Sequence, residues 1–373
     1  VSTELSIRAA TGKIIFMIRG AVRLINPYSA GKSPCVIAKK YGLKESDVLQ
    51  LGSNENPYPP SEEVKKEYER AIAKINRYPN PDYSDLKNSL AEYIGTDVEQ
   101  IAVSNGASEL LRTVCDMVID TMDPVAIPVP SYTLYAIFAM LRDASISFVE
   151  FPRYEVKAHK IIEKRAKLTF LCSPNNPTGN TVQRNEIKKM LKSSDGLVVV
   201  DEAYSEFSGK TVVDLVEKFD NLVVIRSFSK FFGLAGLRLG YAVGNSELIE
   251  AFEKVRLPFS ISNVAYRTAI AALRSIEYYM EVRNKIIQER RRLFKRLKKF
   301  SFLEPYPTEA NFILVRIKKE KDICGELERR GIIIRNVTGL LLSGLHARIT
   351  VGIKEENDRL LAVLEEIDKP NVS

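Results

Sequence analysis

The stretch Val223-Val224-Ile225-Arg226-Ser227-Phe228-Ser229-Lys230, continued by Gly233-Leu234-Ala235-Gly236-Leu237-Arg238-Leu239-Gly240, decides how the chain is read. Val223–Arg226 is a short β-branched run, apolar on both faces, as in parallel strands covered by helices. It runs straight into Ser227, Ser229 and Lys230, and Arg238 follows eight residues on. Open α/β sheets bind ligands beyond the carboxyl ends of their strands. A lysine at such an end can be desolvated and held neutral enough to form a Schiff base. Ser227, Ser229 and Arg238 can jointly grip a phosphate. A surface lysine is the ordinary alternative, and the company Lys230 keeps argues against it.

Outward from this stretch the same pattern repeats. Lys167–Cys172 and Gly196–Val200 also read as buried strands, and Asn221–Arg226 is the third. Arg184–Leu191, Val213–Phe219 and Ser246–Val255 read as the intervening helices. Strands alternating with helices from about 100 to 260 give an α/β domain with a parallel sheet. Near 260 the pattern changes. Helical segments at Asn263–Ser275 and Tyr278–Phe300 precede strands near Asn311–Val315, Ile332–Arg335 and Ala347–Val351, with helices near 320–330 and 354–367. That mixture predicts a smaller α+β domain, with the boundary near 260. Asn54-Glu55-Asn56-Pro57-Tyr58-Pro59-Pro60 must be an extended loop, because proline blocks helix.

Composition excludes several chemistries. The 373 residues, 45% hydrophobic and 27% charged, are ordinary globular composition and enough for two domains. Only two histidines are present, His159 and His346, which argues against His-rich metal sites and most His-based triads, and no metal is expected. Cys35, Cys115, Cys172 and Cys324 form no close pair and read as reduced thiols of a cytoplasmic protein. No apolar run reaches the ~18 residues of a membrane span, and Ile14–Ile18 is shorter than the roughly 7–15 residues of a signal-peptide core. The net charge of +8 suggests an anionic partner. Arg283–Lys299 alone, with nine Lys/Arg and one Glu, carries a local +8. Ile286, Leu293, Leu297 and Phe300 make one apolar face there, so this is a packed helix with a solvated basic back, and nucleic acid is not expected.

Three further motifs follow strand-like runs. Ser104-Asn105-Gly106-Ala107-Ser108-Glu109 precedes a helical pattern, where backbone amides favour an anion, although a plain Ser cap with a Gly turn explains it equally well. Cys172-Ser173-Pro174-Asn175-Asn176-Pro177-Thr178-Gly179 is a rigid loop with two adjacent amides. Val198-Val199-Val200-Asp201-Glu202-Ala203-Tyr204 ends a buried strand in two carboxylates. These fit Mg²⁺ binding, acid/base work, or an Asp201 that holds a protonated heterocyclic nitrogen. Three other matches fail. Ser227-x-x-Lys230 lacks the partner motifs of penicillin-binding enzymes, Gly31-Lys32-Ser33 lacks the leading Gly of a P-loop, and no G-x-G-x-x-G follows a strand.

In this order the four motifs resemble the aspartate-aminotransferase superfamily of pyridoxal-phosphate (PLP) enzymes, from about residue 25 to the C-terminus. Leu51–Pro57, Arg77-Tyr78-Pro79, Asp201–Phe207 and Ser343–Gly352 are similar to the histidinol-phosphate aminotransferases among them; residues 1–22 have no counterpart. The resemblance implies the fold-type-I architecture: a mostly parallel, seven-stranded sheet with helices on both faces, plus the smaller α+β domain. It implies a large PLP-binding domain over 53–262 and a small domain built from 1–52 and 263–373. Lys230 would bind PLP and move the substrate α-proton, and Asp201 would keep the pyridine nitrogen protonated. Tyr204 and Asn175 would contact the ring oxygen and Tyr132 would stack on the ring. Ala107, Ser108, Ser227, Ser229 and Arg238 match the phosphate-binding positions. Asn56, Tyr78, Arg335 and Arg348 would bind substrate, Tyr78 reaching in from the second subunit of a homodimer. The implied reaction is amino transfer between histidinol phosphate and 2-oxoglutarate in histidine biosynthesis. An aromatic aminotransferase or a threonine-phosphate decarboxylase is the alternative on the same fold. A DNA-binding regulator would need a separate domain for which residues 1–22 are too short.

Overall fold

The computed structural model describes residues 17–318, 322–338 and 342–369. The first sixteen positions of the 1–52 segment, including the start of the Ile14–Ile18 run, lie outside the described residues. Among the described residues the strands are β1 (Leu49–Leu51), β2 (Ile101–Ser104), β3 (Pro124–Val129), β4 (Ser145–Glu150), β5 (Leu168–Cys172), β6 (Leu197–Asp201), β7 (Leu222–Ser227), β8 (Gly240–Gly244), β9 (Leu303–Pro305), β10 (Phe312–Ile317), β11 (Ile332–Asn336) and β12 (Leu345–Thr350).

Seven of them form one sheet in the order β2-β8-β7-β6-β5-β3-β4. Its pairings are parallel except those of β8, which runs against both β2 and β7. The central strands are buried along their whole length, as continuous apolar runs require. Successive side chains point to opposite faces, and each face meets its own helices. Val199, Val223 and Ile225 pack with Leu110 and Val114 of the helix Ala107–Val118 and with Phe252 of Ser246–Val255. Val198, Val200 and Val224 share a core with Ile187 and Met190 of Arg184–Ser193 and with Ile286 and Leu293 of Ile276–Leu297. The helix Asn263–Arg274 packs on Glu62–Ile72 and Ser84–Ile94.

The second sheet has the order β1-β11-β12-β10-β9, so a strand from residues 49–51 joins four strands from beyond residue 300. The antiparallel register of β11 and β12 sets Arg335 opposite Arg348. In the first sheet the register sets Cys172 opposite Asp201, Asp201 opposite Ile225, and Ser227 opposite Gly240, which is opposite Ser104. Every motif noted in this region therefore arrives at one edge.

One sequence expectation needs correction. Val213–Phe219 is not a helix of several turns; it holds one 3₁₀ turn, Val213–Leu215. The Val212 amide and the Thr211 hydroxyl are tied to Glu202, which fixes this chain before a helix can propagate. The basic stretch Arg283–Lys299 leaves Lys285, Arg291, Lys295, Lys298 and Lys299 exposed, as a solvated back requires, while its other four cations have partners. Arg292 pairs with Glu289 and Asp358, and Arg296 with Glu365. Arg283 donates to the Glu206 carbonyl and Arg290 to that of Ala310.

Between the end of β7 and the residue after β6 lies a buried ion pair. Arg226 Nε and Nη2 donate to Glu202 Oε2 at 3.0 and 2.9 Å, and Thr211 Oγ1 donates to the same oxygen at 2.7 Å. Both side chains are shielded from water, so the pair matters by what its breakage leaves behind. Arg226→Met strands a buried carboxylate and should cost about 3–5 kcal/mol in urea unfolding. Replacing both partners by apolar residues should cost clearly less.

Candidate active site

A cavity of about 400 Å³ opens where the carboxyl ends of the large sheet face the second sheet. Lys230, Asp201, Tyr204, Ala107, Ser108, Tyr132, Ser227, Ser229, Arg238, Arg335 and Arg348 all line it.

Asp201 ends β6 and is buried. Its Oδ2 accepts a 2.6 Å hydrogen bond from the Tyr135 hydroxyl, and its Oδ1 accepts from the Ala203 amide at 3.0 Å. Burial raises the carboxyl pKa, against those two bonds, which favour the anion. Tyr135 is fully buried and lies flat on Phe170, with ring centroids 5.0 Å apart at 4°. Nothing in the sequence reading singled it out. The only signal was its position one helical turn beyond Tyr132, on the same face.

Lys230 Nζ donates to the Ser53 carbonyl at 3.0 Å and stands 5.9 Å from the Tyr204 ring centroid. Burial first, then the positive charges of Arg348 and Arg238, push its pKa down to about 8, while Glu55 and Asp201 pull the other way. At pH 7 roughly one such amine in ten is neutral, against roughly one in a few thousand for a lysine at its ordinary value. The Tyr204 hydroxyl accepts from Asn54 Nδ2 at 3.0 Å, and burial raises its pKa, so its own proton stays available to a ligand.

The anion-binding corner is built by close approach. Gly106, at φ +86°, precedes the helix Ala107–Val118, and a Cβ there would lie 2.8 Å from Arg238 Nη2. A Cβ on Gly240 would lie 2.5 Å from the Ala107 amide nitrogen. Only glycine lets β8 and the Arg238 side chain close on the helix N-terminus, where Ser108, Ser227, Ser229 and Arg238 gather. Arg238 Nη1 reaches Ser229 Oγ at 3.4 Å, and the Ser229 amide donates to Ser227 Oγ at 3.1 Å.

On the other wall Arg348 is buried. Its Nη1 donates to Asn176 Oδ1 and its Nη2 to the Gly52 carbonyl, both at 2.6 Å, and its Nε has no partner among the described residues. Arg335 donates to the Ser29 carbonyl. Tyr28 lies edge-on to Tyr132, with centroids 6.1 Å apart, and also lines the cavity.

Three expected residues lie elsewhere. Asn175 faces the loop: its Nδ2 donates to the Pro130 carbonyl and to Thr178 Oγ1, and its Oδ1 accepts from Ser131. Its neighbour Asn176 lines the cavity instead. The two amides are adjacent, and sequence alone does not show which one turns inward. Asn56 spends its amide on the Phe231 carbonyl and the Tyr58 amide, while Asn54 and Glu55 line the cavity. Tyr78 is 78% exposed and stacks on Phe259, outside this chain's own cavity.

With this geometry in place, the chain can be set beside known proteins. The family profile "Aminotransferase class I and II" matches residues 46–364. The chain belongs to the class I and II aminotransferases. Among relatives of this aminotransferase is histidinol-phosphate aminotransferase 2 of Archaeoglobus fulgidus, 52% identical over 94% of this chain and the full length of the relative. The histidinol-phosphate aminotransferase of Methanocaldococcus jannaschii is 37% identical over 94% of this chain and 97% of that one. Among solved structures, histidinol-phosphate aminotransferase from Sinorhizobium meliloti, in complex with pyridoxal-5'-phosphate, superposes with a TM-score of 0.85. It is 25% identical and covers 94% of this chain and 98% of that one.

The aminotransferase site fits pyridoxal phosphate on its own geometry: an amine of lowered pKa, a buried carboxylate, a free phenol proton and a glycine-lined anion corner. Capture of added pyridoxal phosphate by the apoprotein should quicken as pH rises toward 8 and then level off, followed by absorbance. A rate still climbing toward pH 10 would mean that the Lys230 amine titrates like a solvated one. Gly240→Ala should weaken retention of the cofactor at least tenfold in dialysis against phosphate, because the new methyl displaces the helix N-terminus.

Proposed function

We propose that this aminotransferase moves an amino group between histidinol phosphate and 2-oxoglutarate, giving imidazole-acetol phosphate and glutamate, with pyridoxal phosphate as cofactor. The observation that carries the reading is the Arg348–Arg335 pair. One guanidinium is buried with an unpaired Nε, a second sits opposite it on the neighbouring strand, and both face the Lys230 amine across one cavity. A guanidinium fork accepts either a carboxylate or a phosphate monoester. One site can therefore take glutamate and a phosphorylated amine in turn. The names of the relatives support that substrate pair over the aromatic and decarboxylating alternatives.

Pyridoxal phosphate, when bound, supplies a carbonyl that takes up the amino group and a ring that absorbs the charge left as the substrate carbon loses its proton. The residues divide the rest. The Lys230 amine would anchor the cofactor and hold the proton that moves to and from the substrate carbon. Asp201, oriented by Tyr135, would keep a proton on the ring nitrogen. Tyr204 would donate its hydroxyl proton to the ring oxygen, with Asn176 in the place foreseen for Asn175. Tyr132 would stack on the ring. Ala107, Ser108, Ser227, Ser229 and Arg238 hold the phosphate at the helix N-terminus. Arg348 and Arg335 hold the substrate anion and keep it from drifting off the reacting carbon.

The working unit we propose is a homodimer in the cytoplasm, with residues 53–262 as the cofactor domain and 1–52 with 263–373 as the smaller one. Support for a second copy comes from a surface on which Ile72, Ile75, Tyr78, Val255, Leu257 and Phe259 are all exposed. Segments 74–81 and 256–263 lie against each other there, through Asn263 on the Lys74 carbonyl and Arg256 on the Pro81 carbonyl. An apolar surface of this kind marks an interaction site. From it Tyr78 would reach the partner's cavity.

Purified protein should show a visible absorption band that Lys230→Ala abolishes together with amino transfer. A wild type that takes up no pyridoxal phosphate would end the reading. Arg348→Met should lower kcat/KM for histidinol phosphate by about a hundredfold or more, because it removes a desolvated charge partner. Co-expressed Lys230→Ala and Tyr78→Ala chains should form mixed dimers with one intact site, restoring roughly a quarter of wild-type activity. No restoration would place Tyr78 outside the partner's site.

A further inference from the structure

The segment Gly52–Asn56 runs along the cavity, lining it from Gly52 to Glu55, and most of its residues are spoken for. The Gly52 carbonyl accepts from Arg348, and the Ser53 carbonyl accepts from Lys230. Asn54 donates to Tyr204, its amide donates to Thr350 Oγ1, its carbonyl accepts from Asn311, and its φ of 53° sets the direction of the next residue. Asn56 binds the Phe231 carbonyl. Glu55 alone makes no hydrogen bond and no ion pair among the described residues, although it is exposed in the cavity. A charged side chain carried on so firmly pinned a backbone is aimed by the backbone, not by its own contacts.

Charge makes the position stand out. Six charged residues line the cavity: Lys230, Arg238, Arg335 and Arg348 are basic, Asp201 and Glu55 acidic. Asp201 is already committed to Tyr135 and the Ala203 amide. Glu55 is thus the one uncommitted carboxylate in a basic pocket. Anionic arms of substrate are served by the arginines, which leaves the carboxylate for a cationic or N–H-bearing arm.

We propose that Glu55 is a specificity residue that accepts a hydrogen bond from the imidazole side chain of the amino donor. This rests on the histidinol phosphate reading above. Glutamate offers a second carboxylate in the same region and gains nothing from Glu55; a substrate with a protonatable heterocycle gains a charge-assisted hydrogen bond. The residue therefore favours the nitrogen heterocycle over glutamate and over a plain aromatic ring. It acts on binding and not on the proton transfer carried by Lys230.

The test uses the cofactor-loaded enzyme in single-turnover half-reactions, with loss of the visible band followed separately for histidinol phosphate and for glutamate. In Glu55→Gln the half-saturating concentration of histidinol phosphate should rise roughly 10- to 100-fold relative to that of glutamate, the size expected for a lost hydrogen bond to a charged group. Glu55→Asp should recover part of the difference. If both substrates shift together, and the pH midpoint of the visible band moves with them, Glu55 only tunes Lys230 and the proposal falls. If neither shifts, Glu55 touches no substrate and it falls as well. Wild type that reacts with glutamate and not with histidinol phosphate would instead overturn the function on which the proposal rests.

Discussion

The constraint on which the site depends is the removal of one lysine amine from water among other cations. Burial and then the charges of Arg348 and Arg238 pull Lys230 toward neutrality, and Glu55 and Asp201 oppose them. An isolated buried ammonium would be costly, and a neutral amine is cheap and nucleophilic. The surrounding architecture keeps that balance. The Ser53 carbonyl gives the amine one acceptor, the Tyr204 ring flanks it, and Gly52, Ser53, Asn54 and Glu55 line the cavity beside it.

The two sheets divide the labour. The large sheet delivers Asp201, Ser227 and Lys230 from strand ends that are held in register, and its helix Ala107–Val118 supplies amides for an anion. The second sheet delivers Arg335 and Arg348 side by side. The two share one apolar core, in which Val198 and Val200 cluster with Leu49, Phe312 and Ile349, and Arg348 adds a hydrogen bond across to Asn176.

Much of this was legible in the chain. Continuous β-branched runs ending in polar residues marked β5, β6 and β7, and the polar residues at their ends line the cavity. Lys230, Ser227, Ser229 and Arg238 could be named because a strand end dictates where its next residues go, whereas the roles of Asp201 and Tyr204 came from the family resemblance. The outer and interrupted strands were harder. β3 contains Pro124 and Pro128, which argue against a strand, yet its pairing with β5 covers only Val125 and Ala126 and leaves room for Pro128. β8 begins and ends in glycine, because it must close on Val223 and on Ala107. Side-chain direction inside loops was not legible at all. Asn175 and Asn176, or Asn54 and Asn56, differ by which way the backbone turns, and that is settled by partners far away in sequence. Tyr135 was missed for the same reason: its partner Asp201 is 66 residues away.

The central claim is that a lysine-anchored cofactor faces a pair of arginines shaped for a phosphorylated amine that carries a heterocycle. The most direct measurement compares kcat/KM of the wild-type enzyme for histidinol phosphate with that for phenylalanine and tyrosine, at fixed 2-oxoglutarate. The account predicts that histidinol phosphate is preferred by about a hundredfold or more, the worth of one well-paired charged group. Equal rates, or a preference for the aromatic amino acids, would contradict it.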